Sequence, residues 1–566
     1  VRRPVLVCAL ALAAGLGALV LVQLFGGPRD LPAIRGLPSP GAFTTWGLPI
    51  MRLVHDLCAV GTVGSLLAAV LLGEKDVVAR AVPRWALAWA GSAAATVLLT
   101  LSDFVGAPVL EALRSGMLST FVLYVPQGLS FLVVYVLALA IVLLSLVARG
   151  RPWVLLAVAV AAVLPPAYAG HSASAVDHDF AVSSLLVHLG GVVLWVGGLF
   201  GLLVFMRGAP VRAVERFSTL ALWCYVTVAL SGLLNAWVRL GRVELLWTSE
   251  YGVLVLLKLA AMGALGWFGL RHRTRTIAAF TTTRRPFLRL AAGEVVLMAA
   301  TMGLAVALSR TPPPPGESPA HGVLGFYLPI LAPGRFVTEW RPDPILLLAV
   351  ALACAAYFRW SDRRRPVMWA AGLALFAYAT VGGLGTYARA MVSAQLVQWA
   401  IVGVLVPAML AMAWRPWRPP AWLGLVTATV PSLALFTTPL FELSQSVPAV
   451  RLLVLLGLAV AAYTTICSGI WPVMAGTQAL VALYLLLGPD QGRGWYSQLG
   501  DITWLPVGDQ WLGALIYAAI AAVAVATARL SPKKEDGHAA SRDQTLDAAD
   551  PRAGGDPRDL VGHRGR

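Results

Sequence analysis

The chain has 566 residues, of which 58% are hydrophobic and only 12% charged. Soluble domains carry roughly 25% charged residues, so no single water-soluble core accounts for this much apolar surface. A net charge of +16 would suggest nucleic acid in a soluble protein, but here the basic residues fall in short segments between apolar stretches, where they set membrane orientation, and no nucleic-acid partner is expected.

Read from the amino terminus, the chain is a train of apolar runs such as Phe121 to Val147 and Leu185 to Met206. A helix needs about 20 apolar residues to cross ~30 Å of hydrocarbon, so the pattern predicts an all-α, polytopic transmembrane bundle of about sixteen spans. The first run, Pro4 to Gln23 behind Arg2 and Arg3, is longer than the apolar part of a signal peptide and is read as an uncleaved anchor. Three runs are marginal in length or apolarity: Trp85 to Leu101, Trp153 to Pro165 and Pro344 to Phe358.

Arginine-rich and arginine-poor segments alternate. Lys75/Arg80/Arg84, Arg149/Arg151, Arg207/Arg212/Arg216, the block Arg271 to Arg289, Arg359 with Arg363 to Arg365, and Arg415/Arg418 fall on one side. Roughly 30 of the 43 Lys and Arg lie on that side, which makes it cytoplasmic and places both termini inside a multi-pass cell-membrane protein. The expected division is an anchor helix and external loop over 1–50, a membrane domain over 51–310, an external Pro-rich linker over 311–343, a second membrane domain over 344–530 and a disordered cytoplasmic tail over 531–566. Phe326 to Val337 reads equally as an interfacial segment and as an ordered loop.

Histidine is scarce, with eight in the chain. His171 and His178 belong to an external loop, His188 falls roughly 12 Å below the outer boundary of the sixth span, and His55 roughly 6 Å below that of the second. Imidazole is a common ligand for copper, zinc and haem iron, and ionisable groups inside a membrane tend to mark ligand pathways. His55, His171, His178 and His188 are therefore candidate metal ligands, against the plainer reading of wet loop residues and a helix-to-helix hydrogen bond. Asp56, Asp177 and Asp179 are candidates for orienting those rings, and Met51 and Met117 for soft thioether contacts. Lys258 and Glu294 sit inside the eighth and ninth spans, where a structural ion pair or snorkelling is preferred to a transport role. Gly190-Gly191 and Gly197-Gly198 around Trp195 predict a close helix contact. The five scattered cysteines offer neither a disulfide framework nor a thiolate cluster.

The run HLGGVVLWVGGL over His188 to Leu199, with Arg216-Phe217-Ser218, Ser231-Gly232, Trp247 to Gly252 and Lys258, resembles the copper-resistance D (CopD) membrane domain over about residues 50–312. Glu294 and Ser309 to Pro314 fit the last helix of that family. The resemblance implies copper passage across, or handling at, the cytoplasmic membrane, and implicates His188 and the loop histidines. About residues 325–530 resemble the cytochrome c oxidase assembly factor CtaG, through Asp343-Pro344, Tyr387 to Ser393, Val406-Pro407, Trp495-Tyr496 and Asp509-Gln510 with Gly513. The order of the two domains is that of actinobacterial fusions. Where that second family carries two histidines, in a segment of the form SAHMVQH, this chain reads SAQLVQW over Ser393 to Trp399, and no histidine occurs between His321 and His538. No metal site is assigned there, since amides are poor ligands for a soft metal.

The leading expectation is a copper-handling membrane protein, serving uptake or delivery for oxidase assembly, with copper, the bilayer, and oxidase subunits or a periplasmic copper chaperone as partners. The alternatives are a non-transporting scaffold for respiratory or envelope complexes and a haem-binding electron carrier using His55 and His188. No nucleophile, base and orienting group form a recognisable arrangement and no phosphate-cradling loop occurs, so an enzyme is not expected.

Overall fold

The computed structural model describes residues 2–26, 39–73, 75–147, 151–169, 178–205, 210–277, 285–312, 314, 323–362, 365–500, 502 and 508–530. The expected disordered tail lies outside the described residues, as do residues 313 and 315–322 of the Pro-rich linker. The structure is all-helical, with no strand among the described residues.

The amino-terminal bundle is built from α1 (Arg2–Gly26), α2 (Gly41–Leu72), α3 (Val82–Val105), α4 (Pro126–Val147), α5 (Pro152–Val163), α6 (His178–Phe205), α7 (Val211–Leu240), α8 (Glu250–Arg271) and α9 (Arg285–Leu308). The second bundle comprises α10 (Pro344–Trp360), α11 (Pro366–Val381), α12 (Val392–Ala400), α13 (Val406–Ala413), α14 (Ala421–Thr437), α15 (Leu440–Ser446), α16 (Pro448–Ser468), α17 (Trp471–Leu487) and α18 (Gln510–Leu530). Among the described residues, eleven helical stretches are long and apolar enough to cross a membrane, or twelve if α14 and α15, bent by 75°, form one span. Four shorter apolar helices, including α5, α10 and α17, account for the larger number expected from hydropathy. The protein is a multi-pass membrane protein.

Helix ends follow local chemistry. Gly73, at φ 72°, closes α2 in the left-handed conformation that glycine adopts without a Cβ penalty. Asp343 opens α10 by accepting hydrogen bonds from the backbone of Ile345 at 2.9 Å and Leu346 at 3.2 Å, with Pro344 at the first helical position.

Small residues bring backbones together. A Cβ on Gly303 of α9 would lie 2.0 Å from the Gly15 carbonyl oxygen, so α1 packs directly on α9. Gly64 of α2 meets Gly197 and Gly201 of α6 in the same way, at 2.3 Å and 2.2 Å for the missing Cβ atoms. Gly198 accommodates Phe217 and Leu67, whereas Gly190 faces open space. The predicted packing face is thus real at Gly191, whose missing Cβ would lie 3.0 Å from Val228, and over Gly197-Gly198, and it extends to Gly201.

Two large buried cores result, one centred on Trp89, Trp195, Phe217 and Phe287, the other on Phe376, Tyr387, Trp399, Phe441 and Trp495. Leu324, Phe326 and Leu328 are buried in the second core, while Tyr327, Ile330 and Val337 of the segment before α10 are exposed. The bundles meet where Val182 and Leu186 of α6 pack near Ile345 of α10.

Candidate functional site

The α2–α6 crossing determines where the histidines go. Val60 and Gly64 of α2 touch Gly197, while Gly64 and Ala68 touch Gly201, so contacts advance in the same direction and the helices run parallel. His55 lies nine residues before Gly64 and His188 nine residues before Gly197. Nine residues are about two and a half turns, roughly 13 Å of rise, which places the rings at similar depth but turns each to the side of its helix away from the other.

Their neighbours agree with this geometry. His55 is buried between α3 and α4, where its ring packs edge-on against Trp89 and Phe131 with centroids 5.9 Å and 5.3 Å away. Trp89 Nε1 donates to His55 Nε2 at 3.2 Å. The lone pair of that nitrogen is therefore committed, and Nδ1 is left buried without a hydrogen-bond partner.

His188 belongs to a polar cluster between α6 and α7. Its Nδ1 lies 3.1 Å from Ser231 Oγ, and Ser231 Oγ donates to the Thr227 carbonyl at 2.6 Å. A hydroxyl has one proton, so the serine accepts from the ring: Nδ1 carries hydrogen and Nε2 presents a lone pair. Asn235 donates to Ser184 Oγ at 2.8 Å and to the Ser231 carbonyl at 3.1 Å, leaving its own buried amide oxygen without a partner. Ser184 donates to the same Ser231 carbonyl at 3.0 Å. The cluster was legible in part, because Ser184/His188 and Ser231/Asn235 are both i,i+4 pairs on facing helices.

His178 begins α6, ten residues or roughly 15 Å along the axis before His188. The His178 side chain and His171 lie outside the described residues, as does Asp177. Among the described residues no three His, Cys, Asp or Glu side chains gather as a metal cage. Asp179 pairs with Arg389 and, at 2.9 Å, with Arg451.

Lys258 and Glu294 are not partners either. Glu294 is buried with its carboxylate 3.2 Å from His272 Nε2, at the turn where α8 ends in a π-helical segment. Lys258 instead stands within electrostatic reach of Arg239 and His188.

In the second bundle the histidine-free segment is closed by amides. The side chains of Gln395 and Gln398 are 2.9 Å apart, Gln445 reaches Gln395 at 3.0 Å, and Gln398 donates to the Ala379 carbonyl at 2.8 Å. These groups satisfy one another, and the arrangement explains why glutamine is tolerated in a buried site.

A feature the sequence did not point to joins the bundles. Ser183 donates to Asp343 Oδ2 at 2.7 Å, one turn from Asp179 with its two arginines. Burial pushes the Asp343 carboxyl above the ordinary range, against the downward pull of Arg451 and its hydrogen bonds. Burial likewise lowers the Arg389 guanidinium to about 10, with Asp179 opposing it, so the group stays charged at neutral pH.

Residues 43–177 match the family model described as Copper resistance protein D-like, N-terminal domain, and residues 211–308 match the one described as Copper resistance protein D. No curated protein and no solved structure matches the chain significantly. The matched segments contain His55 and Trp89 on one side and Ser231, Asn235, Lys258 and Glu294 on the other. His188 falls between them.

Proposed function

We propose that the protein handles copper as a passing cargo at the cell membrane, with His188 as a transfer ligand in the amino-terminal bundle. Two copper-resistance D matches in one bundle place the protein in copper-related membrane biology. The observation that supports the finer reading is the His188–Ser231 contact: with the serine proton on the Thr227 carbonyl, the ring donates from Nδ1 and keeps its lone pair on Nε2. Holding a ligating imidazole by its other nitrogen orients it and strengthens its basicity. A single oriented imidazole suits hand-over better than storage, since conduction requires binding that is favourable on entry yet weak enough to release. In this reading the α6 amino terminus faces outward, both chain termini face the cytoplasm, and copper enters from the outer side.

Copper uptake into proteoliposomes, measured by elemental analysis, tests the proposal. His188→Ala is expected to reduce uptake at least about tenfold while the thermal unfolding midpoint changes little. Unchanged uptake by a folded His188→Ala protein would refute the role of His188.

A second reading, a scaffold for assembling respiratory or envelope complexes, is favoured by one observation. The second bundle closes its histidine-free segment with an amide network and grips the first bundle through Asp179. Stoichiometric co-purification of a partner from a strain lacking copper supports that reading, and its absence counts against it. The resemblance of this half to an oxidase assembly factor makes oxidase subunits the partner class to look for.

A further inference from the structure

Two contacts set the register of α7 against α8. Arg239 donates to Tyr251 Oη at 2.9 Å, and a Cβ on Gly266 would lie 2.6 Å from Tyr225 Oη. The contacts climb α7 as they descend α8, so the two helices are antiparallel. Seven residues back from Arg239 is Gly232, and seven on from Tyr251 is Lys258. Seven residues are almost two full turns, so Lys258 keeps the face of Tyr251, turned toward α7 at the depth of Gly232. Gly232 in turn lies against the His188 ring, where a Cβ would meet Cε1 at 3.4 Å. Lys258 therefore stands at the level of the imidazole whose Nδ1 is held by Ser231.

The charge that reaches this level is positive. Lys258 acts electrostatically on His188, and Arg239 acts on Lys258. Among the described residues Lys258 makes neither a hydrogen bond nor an ion pair. Glu294, the carboxylate expected to meet it, is 3.2 Å from His272 instead. An ammonium inside a span is costly without a counter-charge, so stability alone does not account for its place beside a ligating ring.

We propose that Lys258 makes the His188 transfer site selective for soft monovalent cations, cuprous copper among them, by repelling divalent ones. The inference rests on the role of His188 proposed above. The imidazole lone pair suits copper and zinc alike, so the ring by itself discriminates little between them. Repulsion from a fixed ammonium, by contrast, is twice as large for a divalent ion as for a monovalent ion at the same position. A repulsive element set against the wrong ligand gives specificity without any new contact to the right one. The same repulsion loosens the hold on a monovalent ion, which suits a passing cargo.

Silver(I) and zinc(II), which keep their oxidation states, serve as the monovalent and divalent probes. Their uptake into proteoliposomes holding the full-length protein is measured by elemental analysis, at subsaturating ion and fixed pH and ionic strength. Lys258→Met is expected to raise silver uptake about threefold and zinc uptake about tenfold, because doubling an energy squares its factor. Lys258→Arg, which keeps the charge, is expected to hold the wild-type silver-to-zinc ratio. If Lys258→Met does not fold, Lys258→Gln takes its place with the same expectation. An unchanged ratio in the folded neutral variant, with uptake still lost in His188→Ala, overturns the selectivity and leaves the His188 reading standing. Uptake that is absent from the wild type or indifferent to His188 overturns that reading, and this inference with it.

Discussion

Ser231 Oγ, 3.1 Å from His188 Nδ1, gives its own proton to the Thr227 carbonyl at 2.6 Å and so receives the one on the imidazole. One hydroxyl on α7 thereby decides which nitrogen on α6 is open. Ser231→Ala removes that constraint without touching Nε2. Because orienting partners of metal ligands are typically worth 10–100-fold in affinity or activity, copper uptake is expected to fall by about that range. A Ser231→Ala protein with wild-type uptake would show that the ring's orientation does not matter.

The α2–α6 crossing depends on Gly64. Its replacement by valine drives side-chain atoms into the Gly197 backbone, where even a Cβ would lie 2.3 Å from the carbonyl oxygen. A loss of about 1–3 kcal/mol is expected from overpacking, visible as a lower unfolding midpoint in detergent. Gly190→Ala is the matched control, since nothing lies within 4 Å of its missing Cβ.

Glu294 and His272 form a buried contact between the end of α8 and α9. Losing a contact to a charged group costs about 1.5–3 kcal/mol. Glu294→Ala is expected to destabilise the protein by about that amount, and Glu294→Gln, which keeps a hydrogen-bonding side chain, by clearly less. Equal unfolding midpoints for the two variants would show that the contact contributes only volume.

Asp343 gives a pH signature. Burial raises its carboxyl in the folded state, so its contribution to stability is fully present below the unfolded value and is lost as pH rises through the folded one. Asp343→Asn keeps a capping oxygen for α10 but cannot ionise. Measured from acid toward neutral pH, the stability of the wild type is expected to fall relative to Asp343→Asn. A difference that stays constant with pH would mean that Asp343 titrates alike in both states.

Hydrophobic length and composition, on their own, determined the helical, multi-pass character of this protein. They also determined the scarcity of histidine and the glutamines that stand in the second bundle. These are properties of the chain's covalent order, because a bilayer selects apolar runs by length alone. The close approach at Gly197-Gly198 was legible for a similar reason, as small side chains on one face permit little else. Partners were not legible. Nine residues of helix turn His55 toward Trp89 and His188 toward Ser231, so two rings at similar depth face opposite ways. Glu294 meets His272 instead of Lys258, and Asp179 meets Arg389 and Arg451, which are more than two hundred residues away in the chain. Helix rotation and long-range packing decide such pairings, and neither is written in the local periodicity of any one segment.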